Sequence, residues 1–194
     1  MSAGVFMIKW ISRRLLLIII PIIIIQAQGN AFENNIEHEN GWLGIELLCS
    51  NTKISIKDSI SFYVKLANTG NKKLTVFYQL EWGYIAGLQM MITDEAGYKV
   101  LSEIYDDYLT IPTLIRNPSS YIALYPRHYW GVTRLDTAKN LFRKPGKYSV
   151  TVTYLSPAFE SSVEEDTGVK IKDLWGRERV PIISSTVWIE VTED

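Results

Sequence analysis

With 194 residues, 47% of them hydrophobic and 21% charged, the chain has enough apolar matter for one buried core and lies outside the composition of disordered proteins. Its formal net charge is -1 and no run of Lys and Arg interleaves with stacking aromatics, which excludes the footprint nucleic acid requires, so no nucleic-acid partner is expected. One cysteine forbids an intramolecular disulfide, and two histidines with one cysteine cannot build a tetrahedral metal site unaided; no metal and no cofactor are expected.

Lys9, Arg13 and Arg14 lead into the apolar run Leu15 to Ile25, followed by Gln26-Ala27-Gln28, and no acidic residue occurs before Glu33. That order of basic, apolar and small residues is the order of a secretory signal peptide, assigned to residues 1–27 with cleavage after Ala27. The run is about ten residues, short of the roughly twenty a membrane-crossing helix needs, and Pro21 interrupts it. An uncleaved anchor is the lesser reading, and contact with a membrane is expected only through this segment if it is retained. Ser12-Arg13-Arg14 also resembles a twin-arginine signal, but the strong apolar run favours the general export route. Taking Lys9, Arg13 and Arg14 from the 20 basic residues leaves 17 against 21 acidic, about -4 for an exported, periplasmic or extracellular chain.

Residues 28–41, rich in Asn and Glu, read as a flexible lead-in to a single domain over 42–194. Trp42 to Cys49 reads as a first strand with Ile45, Leu47 and Cys49 on one parity, so Cys49 reads as a small buried hydrophobe rather than a nucleophile or an intermolecular bridge, and Lys53 to Ile56 continues that strand after a turn. Ser59 to Ala67 sets Ile60, Phe62, Val64 and Leu66 against Ser61, Tyr63 and Lys65. After Asn68-Thr69-Gly70-Asn71 the alternation resumes over Lys73 to Leu80, which predicts a hairpin between these two strands. Leu88 to Thr93 and Tyr98 to Ser102 flank the turn Asp94-Glu95-Ala96-Gly97 and predict a second hairpin.

Pro112 and Pro118 forbid a long regular element over 103–120, which reads as an exposed crossover. Tyr121 to Leu124 and Tyr129 to Leu135 are short strands, and Thr137 to Phe142 can form one helical turn. Lys144-Pro145-Gly146 then opens the strongest strand of the chain, with Tyr148, Val150, Val152 and Tyr154 on the buried side and Ser149, Thr151 and Thr153 opposite. A long insertion over 156–181 follows, and Ile183 to Val191 closes the domain with Ile183, Val187, Ile189 and Val191 on one parity. Short strands with turn signals between them, and no amphipathic helix of three turns, predict an all-β, antiparallel β-sandwich of immunoglobulin-like type.

The order of strand Ile60 to Leu66, Asn68-Thr69-Gly70, Asp94-Glu95-Ala96-Gly97-Tyr98, Leu124-Tyr125-Pro126 and Pro145-Gly146-Lys147-Tyr148 resembles immunoglobulin-like domains. Among them it is similar to the intracellular proteinase inhibitor (BsuPI-type) family of bacilli over roughly residues 59–155, about half the chain. The resemblance implies a sandwich fold and, as an alternative function, protease inhibition. The export signal, the crossover and the insertion depart from that family, and no inhibitory residue is carried over. Tyr148 is similar in placement to the tyrosine that closes a corner in such sandwiches by bonding upstream backbone, with Tyr154 as the competing candidate.

For catalysis, His128 in Pro126-Arg127-His128-Tyr129-Trp130 lacks a Gly-x-Ser-x-Gly elbow, and His38 lies in the polar lead-in. Asp106 with Asp107, and Glu164-Glu165-Asp166, offer oxygen ligands without the spacing of a calcium loop. Glu81 beside Trp82 has no second carboxylate that sequence can place across a cleft, so a hydrolase is the weakest reading. The chain is expected to be non-catalytic, a binding or accessory structural module for a protein or carbohydrate. Trp82, Tyr84, Tyr105, Tyr108 and Trp175 fall outside the alternating core positions and form the candidate binding platform. The competing reading is that the long loops fold back and use these rings as a small core of their own.

Overall fold

Period-two alternation determines where most of this chain goes. The computed structural model describes residues 43–82, 87–102 and 110–193. One sheet holds β1 (Leu43–Cys49), β3 (Ser59–Asn68) and β9 (Tyr129–Thr137), all antiparallel with β3 in the middle. The other runs in the order β2 (Lys53–Ser55), β12 (Val187–Thr192), β10 (Gly146–Tyr154), β6 (Gly87–Asp94) and β5 (Glu81–Trp82). On this second sheet β7 (Lys99–Ser102) also pairs with β6, and β11 (Ile182–Ile183) with β10. Among the described strand pairs, β2 with β12 and β5 with β6 run parallel and the others antiparallel.

The two inner faces make the core. Ile60, Phe62, Val64 and Leu66 from β3 are fully buried, as are Leu88, Met90 and Ile92 from β6 and Val150, Val152 and Tyr154 from β10. Each such side chain contributes about 1.5–3 kcal/mol by leaving water. Polar residues on the alternate positions leave the opposite face of each sheet to solvent, as antiparallel sheets allow. This is the immunoglobulin-like sandwich expected, with β10 at the centre of its sheet.

The corner before β10 is closed by Tyr148. A short helix, α1 (Thr110–Ile115), lies in the crossover, and a second, α2 (Ala138–Phe142), follows β9. Beneath α2 the buried Tyr148 hydroxyl donates to the carbonyl oxygens of Phe142 and Lys144, both at 2.8 Å. The hydroxyl thus bonds backbone a few residues upstream, as in the tyrosine corner. Tyr154, the competing candidate, is instead buried at the far end of β10.

Three expectations are corrected. Residues 53–55 do not extend β1; they cross to the other sheet and pair in parallel with β12, while Ser50 N–H reaches back to the Ser61 carbonyl. The strand after the Asn68 turn, β4 (Leu74–Phe77), does not pair with β3, whose two sides are taken by β1 and β9; it pairs with β8 (Tyr121–Leu124) in a separate ribbon. Asn68 is the physical reason: its buried side-chain amide donates to the carbonyls of Leu124 and Lys72, both at 2.7 Å, and ties the exit from β3 to the end of β8. Ile183 leaves the core parity, because β11 ends there and residues 184–186 restart the register; it stands 64% exposed.

The insertion after β10 packs onto the ribbon. Its helix α3 (Glu160–Thr167) contributes Val163 to a small cluster with Ala158 and Leu174, against which Ile115, Tyr121 and Ile171 pack. Thr75 N–H donates to the Asp173 carbonyl and Trp175 N–H to the Thr75 carbonyl, each at 2.8 Å, so the insertion hydrogen-bonds to β4 on the side away from β8.

Candidate functional site

The five residues expected to form a platform do not stand together as a described surface. Trp175 is buried, with 7% of its surface exposed, in the main core cluster, so it presents no stacking face; the backbone bonds to Thr75 fold its loop inward. Trp82 is half-buried on β5, packs against the core, and has the Arg134 guanidinium 5.2 Å from its ring centroid. Tyr84, Tyr105 and Tyr108 lie outside the described residues. The small separate cluster around Val163 and Leu174 is what a loop folding back on itself produces.

A different aromatic marks an open surface. Trp188, on β12, alternates with Val187 and the buried Ile189 and is 62% exposed. Across the sheet it stands in register with Ser149 of β10, which is opposite Thr93 of β6. The next outward row sets Thr151 beside Met91, and the one after sets Ile183, Thr153 and Gln89 side by side. The outward positions of β10 and β6 from Gln89 and Thr153 to Thr93 and Ser149 therefore carry hydroxyls, an amide and a thioether, and no charge.

Charge lies at both margins: the exposed Lys99 of β7 stands in register with Thr93 and so ends the Trp188 row, and a charged group follows one row further along. Lys53, Glu190 and Lys147 are neighbours across β2, β12 and β10, and the Lys53 ammonium lies 2.9 Å from the Glu190 carboxylate. The hydrogen bond and charge of Lys53, helped by the charge of Lys147, hold Glu190 below the usual carboxylate range. Between this charged end and Ile183 the outward positions of β10 and β6 are uncharged, with Trp188 exposed at one side of them and Lys99 at the other. Sequence carried a signal for it, since a tryptophan on the solvent parity of a strand has no core role to fill.

The residues of other chemistries are placed as follows. His128 meets the Tyr125 ring edge-on, with centroids 5.7 Å apart, and no hydroxyl or carboxylate side chain bonds its imidazole among the described residues. Cys49 is free and half-buried; burial pushes its thiol up, partly offset by its bond to the Asn51 carbonyl at 3.3 Å. Among the described residues no three His, Cys, Asp or Glu side chains gather as a metal site, and no helix is long and apolar enough to cross a membrane.

No protein-family model matches the chain, and no curated protein matches its sequence. Among solved structures it is similar to the CARDB domain of a Pyrococcus furiosus protein in complex with di-metal ions, at 12% identity and a TM-score of 0.37, covering 78% of this chain and 94% of that one. It is also similar to Spo0M, a sporulation control protein from Bacillus subtilis, at 6% identity and a TM-score of 0.39, covering 78% of this chain and 49% of that one. A β-glucosidase from Listeria innocua matches at 15% identity and a TM-score of 0.33, covering 77% of this chain and 16% of that one. Likenesses this distant bear on no chemistry of this chain, and the sandwich stands on the strand pairing described above.

Proposed function

We propose that the chain is an exported, non-catalytic immunoglobulin-like module that docks a protein partner on the neutral face of β12, β10 and β6. The observation that carries the reading is Trp188, a large ring left in water on a flat sheet. Covering it returns hydrophobic free energy to a partner, and tryptophan is enriched among the residues that anchor protein interfaces. A polysaccharide is the weaker occupant, because stacking along a chain of sugars asks for several rings in a row and this face has one. Export rests on the basic, apolar and small-residue order of residues 1–27.

Photo-crosslinking in the native cell tests both halves. A crosslinking residue at Ser149 or Thr93 is expected to trap one partner, with no product from Thr133 on the opposite sheet, and Trp188→Lys is expected to abolish trapping. Equal products from both sheets, or none from either, would remove the docking face. Recovery of the chain outside the cytoplasm with Gln28 as its first residue would support the export reading, and retention of residues 1–27 on a cytoplasmic chain would sink it.

Protease inhibition, implied by the resemblance to the intracellular proteinase inhibitors, is the second reading. It rests on the resemblance alone: the Asp94 carboxylate accepts from the N–H groups of Ala96 and Tyr98 at 3.0 and 2.9 Å, which closes the β6–β7 turn and is a structural role. Titration against a panel of proteases decides it, and no loss of protease activity would discard it.

A further inference from the structure

The turn between β8 and β9 is held in a conformation its sequence does not favour. His128 N–H donates to the Tyr125 carbonyl at 2.9 Å, which puts Pro126 and Arg127 at the two central positions. Arg127 has φ 67°, in the left-handed region that suits glycine. The surrounding backbone imposes it: Arg127 N–H donates to the Asn68 carbonyl and Asn68 N–H to the His128 carbonyl, both at 2.9 Å, while the buried Asn68 amide bonds the Leu124 carbonyl. A strained non-glycine residue kept by its surroundings points to a use for the side chain.

The Arg127 side chain is exposed, and its guanidinium has no ion pair or hydrogen bond among the described residues. It borders an open pocket of about 270 Å³ lined by Ile122, Ala123, Leu124, Arg127, His128 and Tyr129. Tyr125 and Tyr129 stand 54% and 57% exposed at this turn, and the Tyr125 ring meets His128. Lys65, a cation beside the Tyr129 ring, is already engaged, 4.9 Å from the ring's centre and 2.8 Å from the Glu46 carboxylate. Among the described residues Arg127 is thus without a countercharge, at a pocket walled by Ile122, Ala123 and Leu124 with His128 and Tyr129 beside it.

We infer that this pocket binds one ring of an anionic sugar, with Arg127 taking the carboxylate or sulfate in a forked pair of hydrogen bonds and the Tyr129 ring taking the apolar face of the pyranose. The volume, below the roughly 300–1,000 Å³ of sites for larger ligands, suits a single ring better than a peptide segment. The site lies away from Trp188, at the end of the opposite sheet, and stands or falls separately from the docking face.

The test is calorimetric titration of the full chain with trigalacturonate, a sulfated galactose trisaccharide and neutral galactotriose. At least one acidic sugar is expected to bind about tenfold or more tighter than the neutral one, and which of them does so separates carboxylate from sulfate recognition. Arg127→Gly is the informative variant, because glycine relieves the left-handed strain: thermal stability is expected to hold or rise while the preference for the acidic sugar disappears. Arg127→Lys is expected to keep part of that preference, and Tyr129→Ala to weaken all binding. No binding of either acidic sugar, equal binding of acidic and neutral sugars, or unchanged acidic-sugar binding by Arg127→Gly would each overturn the inference.

Discussion

The Tyr148 hydroxyl donates to the Phe142 carbonyl at 2.8 Å, and the two rings lie 5.0 Å apart, so one side chain both closes the corner before β10 and packs against the helix that leads into it. The Lys144 carbonyl, also at 2.8 Å, shares the same hydroxyl. The Phe142 carbonyl also accepts from Lys144 N–H at 2.7 Å, so the hydroxyl is its second donor.

Tyr148→Phe keeps the ring and removes that donor. The expected cost is about 0.5–1.5 kcal/mol, the net worth of a hydrogen bond, because the Phe142 carbonyl keeps its bond from Lys144 N–H; it is measured by urea unfolding. A loss under about 0.5 kcal/mol would mean that water reaches the carbonyls and the corner does not rest on the hydroxyl.

Acid should weaken the corner from its other side. Burial alone would raise Asp136, but hydrogen bonds from Arg134, Asn140 and the Thr137 N–H outweigh it and hold the carboxyl below its ordinary value. A lowered folded-state value gives stability that is complete above the unfolded carboxylate value, about 3.9, and is lost as pH falls through the lower folded one. Unfolding midpoints of the wild type should therefore drop more steeply below about pH 4 than those of Asp136→Asn. Parallel pH profiles would remove Asp136 from the acid response.

Part of this could be read from the residues alone and part could not, for physical reasons. Alternation over Tyr148 to Tyr154 names a buried face, and Pro145-Gly146 fixes where the strand begins, so β10 and its corner were legible. Alternation does not name a partner: Leu74 and Val76 would fit beside β3 as well as beside β8, and the choice is made by the buried Asn68 amide bonding a carbonyl far along the chain. Trp175 sits among Asp173, Arg177 and Glu178, a local setting that says surface, and only the pairing of its loop with Thr75 takes it inside. Trp188 is not among the platform residues expected from the sequence, although its place on the solvent parity of its strand is the signal that could have found it.

The insertion depends on a cap supplied from its far end. Phe159 precedes α3 and has no side chain to bond the first helical N–H groups, so the Glu178 carboxylate does so, accepting from Glu160 N–H at 2.9 Å and Ser161 N–H at 3.1 Å. These bonds outweigh the opposing effect of burial and hold Glu178 below the usual carboxylate range. A Cβ at Gly176 would lie 2.8 Å from the Glu160 nitrogen, so the glycine makes room for this approach. Glu178→Ala is expected to cost about 1 kcal/mol locally, the worth of a helix cap. Hydrogen exchange should speed up over residues 160–168 in both Glu178→Ala and Gly176→Ala and stay unchanged in β10; uniform acceleration would mean that the cap supports the whole domain.

Trp175 and Trp188 should respond to the same substitution in opposite ways. Trp175 fills the main core, so Trp175→Ala is expected to cost about 3–5 kcal/mol through lost burial and an unfilled cavity. Trp188 is 62% exposed, so Trp188→Ala should change unfolding free energy by no more than about 0.5 kcal/mol. Acrylamide should quench Trp188 fluorescence in the folded chain far more than that of Trp175, read from the difference between wild type and each variant. If Trp188→Ala destabilises as much as Trp175→Ala, the ring is packed rather than presented, and the face around Ser149 and Thr151 loses its anchor.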